Sequence, residues 1–217
     1  MPSDWIPFEL LLLAAALACS LVVRPWRMLR AHGSVPALAT PLLASLALLP
    51  WLWAWPGSAA MPWPLQWSGA ALATLALGWP LAVPVLCVAG LSTMLTAGAS
   101  WSEALGAAVW LGVAPATVML VLGHAVRRLF GAHPMAYLLG RAFAVPLLAL
   151  FACSLLMGLL GQGGVPDTDP RLLVVVSFLM AMGETSWTFA IASLLVACRP
   201  QWLATWSDAL YLRRQPT

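Results

Sequence analysis

The stretch Leu172–Cys198, LLVVVSFLMAMGETSWTFAIASLLVAC, decides the fold. As a helix rising about 1.5 Å per residue it would be roughly 40 Å long, more than the ~30 Å hydrocarbon core of a bilayer. A transmembrane strand needs only about ten residues and alternates apolar with polar, and no such alternation is present. Near its middle stands Glu184, the one acid of the stretch. A carboxylate that far from water is costly unless it is paired or used, which makes it a functional-site candidate. Two roles are open. Glu184 could serve transport or coupling, or it could clamp the bundle by bonding Ser186, Thr188 or a neighbouring helix, as polar groups do between membrane helices. Arg141 is the natural charged partner, although its long side chain can also snorkel toward the headgroups.

The rest of the chain agrees with a membrane reading. It is 62% hydrophobic and 8% charged, against about 25% charged in soluble domains. All basic residues are Arg, and the net charge of +3 is dispersed, which argues against nucleic acid as a partner. The fold class expected is an all-α polytopic transmembrane bundle. Spans separate at Pro, Gly and Arg clusters into Trp5–Val23, Pro36–Trp55, Glu103–Val126, Met135–Leu160 and Leu172–Cys198, with a Pro/Trp-rich loop over Pro56–Leu65. No basic region precedes the first apolar run, so it reads as a retained span. Gln66–Ala97 is too long for one crossing, at about 48 Å of helix. Interior prolines break helices, and Pro80 and Pro84 divide this stretch into Gln66–Trp79 and Leu81–Leu95, either of which is short enough for a half-span.

Arginine gathers at Arg24–Arg30, at Arg127 and Arg128, and at Arg199, Arg213 and Arg214. Cytoplasmic loops collect Arg. Placing all three groups inside requires an odd number of crossings between Pro56–Leu65 and Arg127, which the divided Gln66–Ala97 supplies. The expectation is seven helices with the N-terminus outside and the C-terminus inside, one integral domain over 1–217 with a short cytoplasmic tail at 199–217, multi-pass in the inner (plasma) membrane. Asp4, Glu103, Asp167 and Asp169 then face outside with Arg171.

The segment His133–Leu212 carries Tyr137-Leu-Leu-Gly140, a final helix with internal Glu184, and a tail with Arg199, Pro200, Trp202, Ala204, Thr205, Asp208, Tyr211 and Leu212. In this it resembles the CbiM-like family, the substrate-capture membrane components of cobalt and nickel energy-coupling factor transporters. The resemblance covers roughly the last 80 residues well and the middle loosely, around Gly69-Ala70 and Ala104-Leu105-Gly106. It implies seven helices, ATPase and coupling transmembrane subunits in trans, and a metal held by the N-terminal amine, a second-position His and a His before the third span. Here those places read Pro2 and Gln66-Trp67-Ser68-Gly69. A proline nitrogen has no proton to lose, so tight nickel or cobalt binding is not expected, and no resident cofactor is. The carboxylates expected outside, Asp4, Glu9, Asp167 and Asp169, are hard ligands that discriminate poorly among transition metals.

Other residues read more plainly. His32, His124 and His133 fall beside the basic loops. Met180 and Met182 could offer soft donors one turn before Glu184, but methionines in an apolar chain mainly pack. Trp51, Trp53, Trp55, Trp63 and Trp67 suggest an outer aromatic belt, with Trp26 and Trp202 at inner ends. Pro36, Pro41, Pro80, Pro84, Pro115 and Pro146 imply kinks. Cys19, Cys87, Cys153 and Cys198 show no paired spacing. Phosphate-loop, zinc-protease and nucleophile-elbow motifs are absent, so the chain does not read as an enzyme. Two functions stay open: a permease-like substrate-specific component of an energy-coupling factor type ABC transporter, with a transition metal ion as the substrate class, or a non-transporting membrane scaffold or assembly factor that retains the fold.

Overall fold

The computed structural model describes residues 5–29, 37–54, 67–160 and 169–211. Pro2, Asp4, His32, Pro36, Gln66, Asp167, Arg213, Arg214 and the Pro56–Leu65 loop lie outside the described residues. Among those described there are seven main helices and no strand: α1 Ile6–Val22, α2 Ala39–Trp53, α3 Ala70–Leu77, α4 Trp79–Thr96, α5 Trp101–Phe130, α6 Ala136–Leu159 and α7 Pro170–Cys198. Four of them, α4 to α7, are long and apolar enough to cross a membrane; α1 and α2 are shorter apolar helices. A turn at Pro200–Trp202 and one at Asp208–Tyr211 follow α7.

The division of Gln66–Ala97 occurs, but neither expected proline makes it. The chain turns at Gly78, whose φ is +73°, a conformation that side-chain-bearing residues rarely adopt. Pro80 sits in the first turn of α4, where its missing N–H costs nothing. Pro84 lies inside α4 without ending it. Consequently α4 is full length, and α3 alone is half-length, about 12 Å at 1.5 Å per residue.

The middle of the bundle is built on α4, which packs against α1, α2, α3 and α5, while α6 and α7 pair with each other. Small residues set the closest approach. A Cβ on Gly90 of α4 would fall 2.5 Å from Ala108 Cβ of α5. All of α3 except Leu72 is buried, in contact with α2, α4, α5 and α7. Apolar on every side, α3 is a core helix in the sense that its whole circumference needs cover.

Pro115 and Pro146 do more than kink. Each follows a π-helical stretch, Ala107–Val113 in α5 and Ala136–Ala144 in α6. A proline ring clashes with the carbonyl four residues back and cannot donate to it. Widening the preceding turn relieves the clash. One end of the bundle collects the 23–29 turn, Gly78 and the 199–211 segment: a Cβ on Gly78 would lie 3.3 Å from Met28 Cε and 3.5 Å from Ala204 Cβ.

Candidate functional site

A helix starting inside a bundle leaves its first N–H groups without partners, and in hydrocarbon no water can serve them. At the start of α3 the partner is Glu184. The Ser68 N–H donates to Glu184 Oε2 at 2.7 Å and the Gly69 N–H to Oε1 at 2.8 Å. Both oxygens of a carboxylate 7% exposed therefore cap a helix 115 residues earlier in the chain. Negative charge at a helix N-terminus is favoured, and bonds to an ionised acceptor are the stronger kind. Gly69, at φ +66°, lets the backbone turn both amides toward the acid; a Cβ there would also fall 2.6 Å from Leu49 Cδ2.

Ser68 extends the cap into neighbouring helices. Its Oγ accepts from the Ala70 N–H at 3.0 Å and donates to the Leu111 carbonyl at 2.5 Å, while its own carbonyl accepts from Trp53 Nε1 at 2.7 Å. Leu111 is the carbonyl whose α-helical donor would be residue 115, and residue 115 is proline. The same pairing recurs lower in the bundle: Ser20 Oγ donates to the Pro80 carbonyl at 2.6 Å, four residues before Pro84. Two serines thus serve carbonyls that two prolines cannot. Beside Leu111, Trp110 Nε1 donates to Glu9 Oε1 at 2.9 Å. Polar groups of α2, α5 and α7 thus meet at the start of α3, and a separate bond through Trp110 ties Glu9 of α1 to α5.

The other end of α3 is closed by the segment after α7. The Ala204 N–H donates to the Ala76 carbonyl at 2.8 Å, and Thr205 Oγ1 to the Leu75 carbonyl at 2.7 Å. Tyr137 Oη shares a 2.8 Å hydrogen bond with Thr205 Oγ1. Trp206 stacks on Tyr211 with centroids 4.7 Å apart, and Tyr137 meets both rings edge-on. Trp206 Nε1 donates to Asp208 Oδ1 at 2.6 Å. Of the tail candidates, Tyr211 is buried in this cluster, Asp208 supports it, and Arg199 with Pro200 and Trp202 forms the turn that leads into it. Through Ala204 and Thr205 this segment is the C-terminal cap of α3.

Several expectations are corrected. No ion pair joins Arg141 to Glu184: Arg141 lies half-buried beside Gly123, where a Cβ would sit 3.6 Å from its Nε. Ser186 donates to the Met182 carbonyl instead of to the acid. Glu9 is 2% exposed and bonded, not an outer carboxylate free for a cation. Asp169 caps α7 by accepting from the Arg171 N–H at 2.9 Å, and Glu103 closes a capping box with Ser100. Trp53, expected in an outer belt, is buried on Ser68. His124 and His133 are exposed, bonded to the Leu120 carbonyl and the Met135 N–H. Among the described residues no three His, Cys, Asp or Glu side chains are grouped to hold a metal, and the four cysteines are free thiols.

No protein-family model matches the chain, and neither a curated protein nor a solved structure resembles it significantly.

Proposed function

We propose that the chain is the substrate-specific membrane component of an energy-coupling factor type transporter, multi-pass in the inner membrane, with its N-terminus outside and its arginine-rich end inside. It works without catalysis of its own, with ATPase and coupling transmembrane subunits in trans. The observation that carries this reading is α3, a half-length helix that begins at the level of Glu184, the midpoint of α7, with its N-terminus turned to a carboxylate. Discontinuous helices whose ends face buried charge at mid-depth are how many transporters build a substrate path. The charge asymmetry supports the orientation, since Arg24, Arg27 and Arg199 adjoin the end where Met28, Gly78 and Ala204 meet.

A transition metal ion is the substrate class in this reading. The described carboxylates Glu9 and Glu184 are already committed to N–H donors, so Glu184 acts by holding or releasing α3, not by ligating the metal. Elemental analysis of cells lacking the gene, and of cells complemented with the wild-type chain, Glu184→Gln or Glu184→Ala, tests this. One transition metal should fall on deletion, return with the wild type and fail to return with Glu184→Ala. Unchanged contents of cobalt, nickel, copper, zinc and manganese in all strains would overturn the transport reading.

A further inference from the structure

We propose that the outward face of α7 around Gly183 and Trp187 docks a transmembrane helix of a second protein, one that presents hydrogen-bond acceptors at mid-bilayer depth. This inference does not depend on transport, since a scaffold would need such a surface equally.

Leu179, Gly183 and Trp187 follow one another at four-residue spacing and so form one ridge of α7. Leu179 is 62% exposed and Trp187 60% exposed. Between them Gly183 is a notch: a Cβ placed there meets nothing within 4 Å. Small residues that open a helix surface are what lets another membrane helix approach closely.

Lipid chains could fill a notch, so the tryptophans decide the matter. Trp67 packs on Trp187 with ring centroids 6.4 Å apart, and is itself 37% exposed. Neither indole N–H has a hydrogen-bond partner among the described residues, in contrast to Trp53, Trp79, Trp110 and Trp206. Tryptophan is tolerated at the membrane surface because its N–H reaches water there. Trp187 is elsewhere. It stands three residues from Glu184, the midpoint of the 29-residue α7, so with that helix centred on a core about 30 Å thick it lies about 5 Å from the middle. Hydrocarbon offers its N–H no acceptor. A partner helix with a Ser, Thr, Asn or Gln side chain, or a carbonyl freed by a proline, would accept both bonds and insert a ridge over Gly183.

The test places a benzoylphenylalanine photo-crosslinker at Leu179 of the full chain in native membranes, and for comparison at Leu148, 54% exposed on α6. The expected result is an intermolecular adduct to one other protein, mapped by mass spectrometry to a membrane-spanning segment, and no such adduct from Leu148. Trp187→Phe, which keeps the ring and loses the N–H, should reduce the adduct about tenfold, the effect of losing roughly one hydrogen bond, and Gly183→Leu, whose Cβ meets nothing within 4 Å in this chain, should reduce it by filling the notch. Both variants should leave the thermal unfolding of the purified chain unchanged. Adducts to lipid alone, to a second copy of this chain, within the same chain, or equally from Leu148 would overturn the proposal.

Discussion

Replacing Glu184 probes the cap of α3 most sharply, and the size of the effect follows from what each substitute leaves behind. Glu184→Leu removes both acceptors from the Ser68 and Gly69 N–H groups. An orphaned buried donor costs about 1–3 kcal/mol, so the pair should cost roughly 2–6 kcal/mol. Glu184→Gln keeps one carbonyl oxygen but turns an NH2 toward the second donor, so one bond survives and the charge that favours a helix N-terminus is lost. Its cost should be about half as large, near 1–3 kcal/mol. Thermal unfolding of the purified protein in detergent should therefore rank wild type above Gln and Gln above Leu. Hydrogen exchange should rise in peptides covering 68–77 before it rises in α6. A Leu variant as stable as the Gln variant would show that the carboxylate is not carrying the helix start, and the reasoning would fail.

The remaining expectations concern both ends of α3 and the placement of Arg141. Ser68→Ala should destabilise by about 1–3 kcal/mol, because the Leu111 carbonyl loses its donor; Pro115→Ala, which restores an N–H four residues on, should recover part of that loss, visible as non-additivity in a double-mutant cycle. Thr205→Val removes the hydroxyl that joins Leu75 to Tyr137, and should cost roughly 1–3 kcal/mol while making the chain beyond Arg199 cleave faster in limited proteolysis. Glu184→Gln and Arg141→Met should be additive in thermal stability, since the two side chains do not pair; a coupling above about 0.5 kcal/mol would contradict their placement.

The sequence discloses the long helices because each is a continuous apolar run, and discloses Glu184 because a lone acid in such a run stands out. It also shows that Gln66–Ala97 must divide. What it hides are the partners. Glu184 meets Ser68 across 116 positions and Ser68 meets Leu111 across 43, and no helical periodicity links residues so far apart. Arg141 looks like the counter-charge only when backbone N–H groups are left out of the candidates, and those donors become available only where a helix begins inside the bundle. The Ser68–Pro115 and Ser20–Pro84 relations share one logic, a serine hydroxyl donated to a carbonyl that a proline four residues on cannot serve, but the serine comes from a different part of the chain. Gly78 outranks Pro80 and Pro84 as the breakpoint because a positive φ reverses the chain, whereas a proline in a first turn begins a helix and one deeper inside can be accommodated. Composition marks 199–217 as a short polar tail, but it does not disclose that the backbone at Ala204 and Thr205 caps α3.

Backbone amide exchange at Gly69, followed by NMR on protein labelled with 15N-glycine, tests the central claim most directly. If Glu184 caps α3, the Gly69 amide is protected in the wild type and loses that protection in Glu184→Ala, while the amide of Gly90, buried between α4 and α5, stays protected in both. Equal protection of Gly69 in the two proteins would contradict the account.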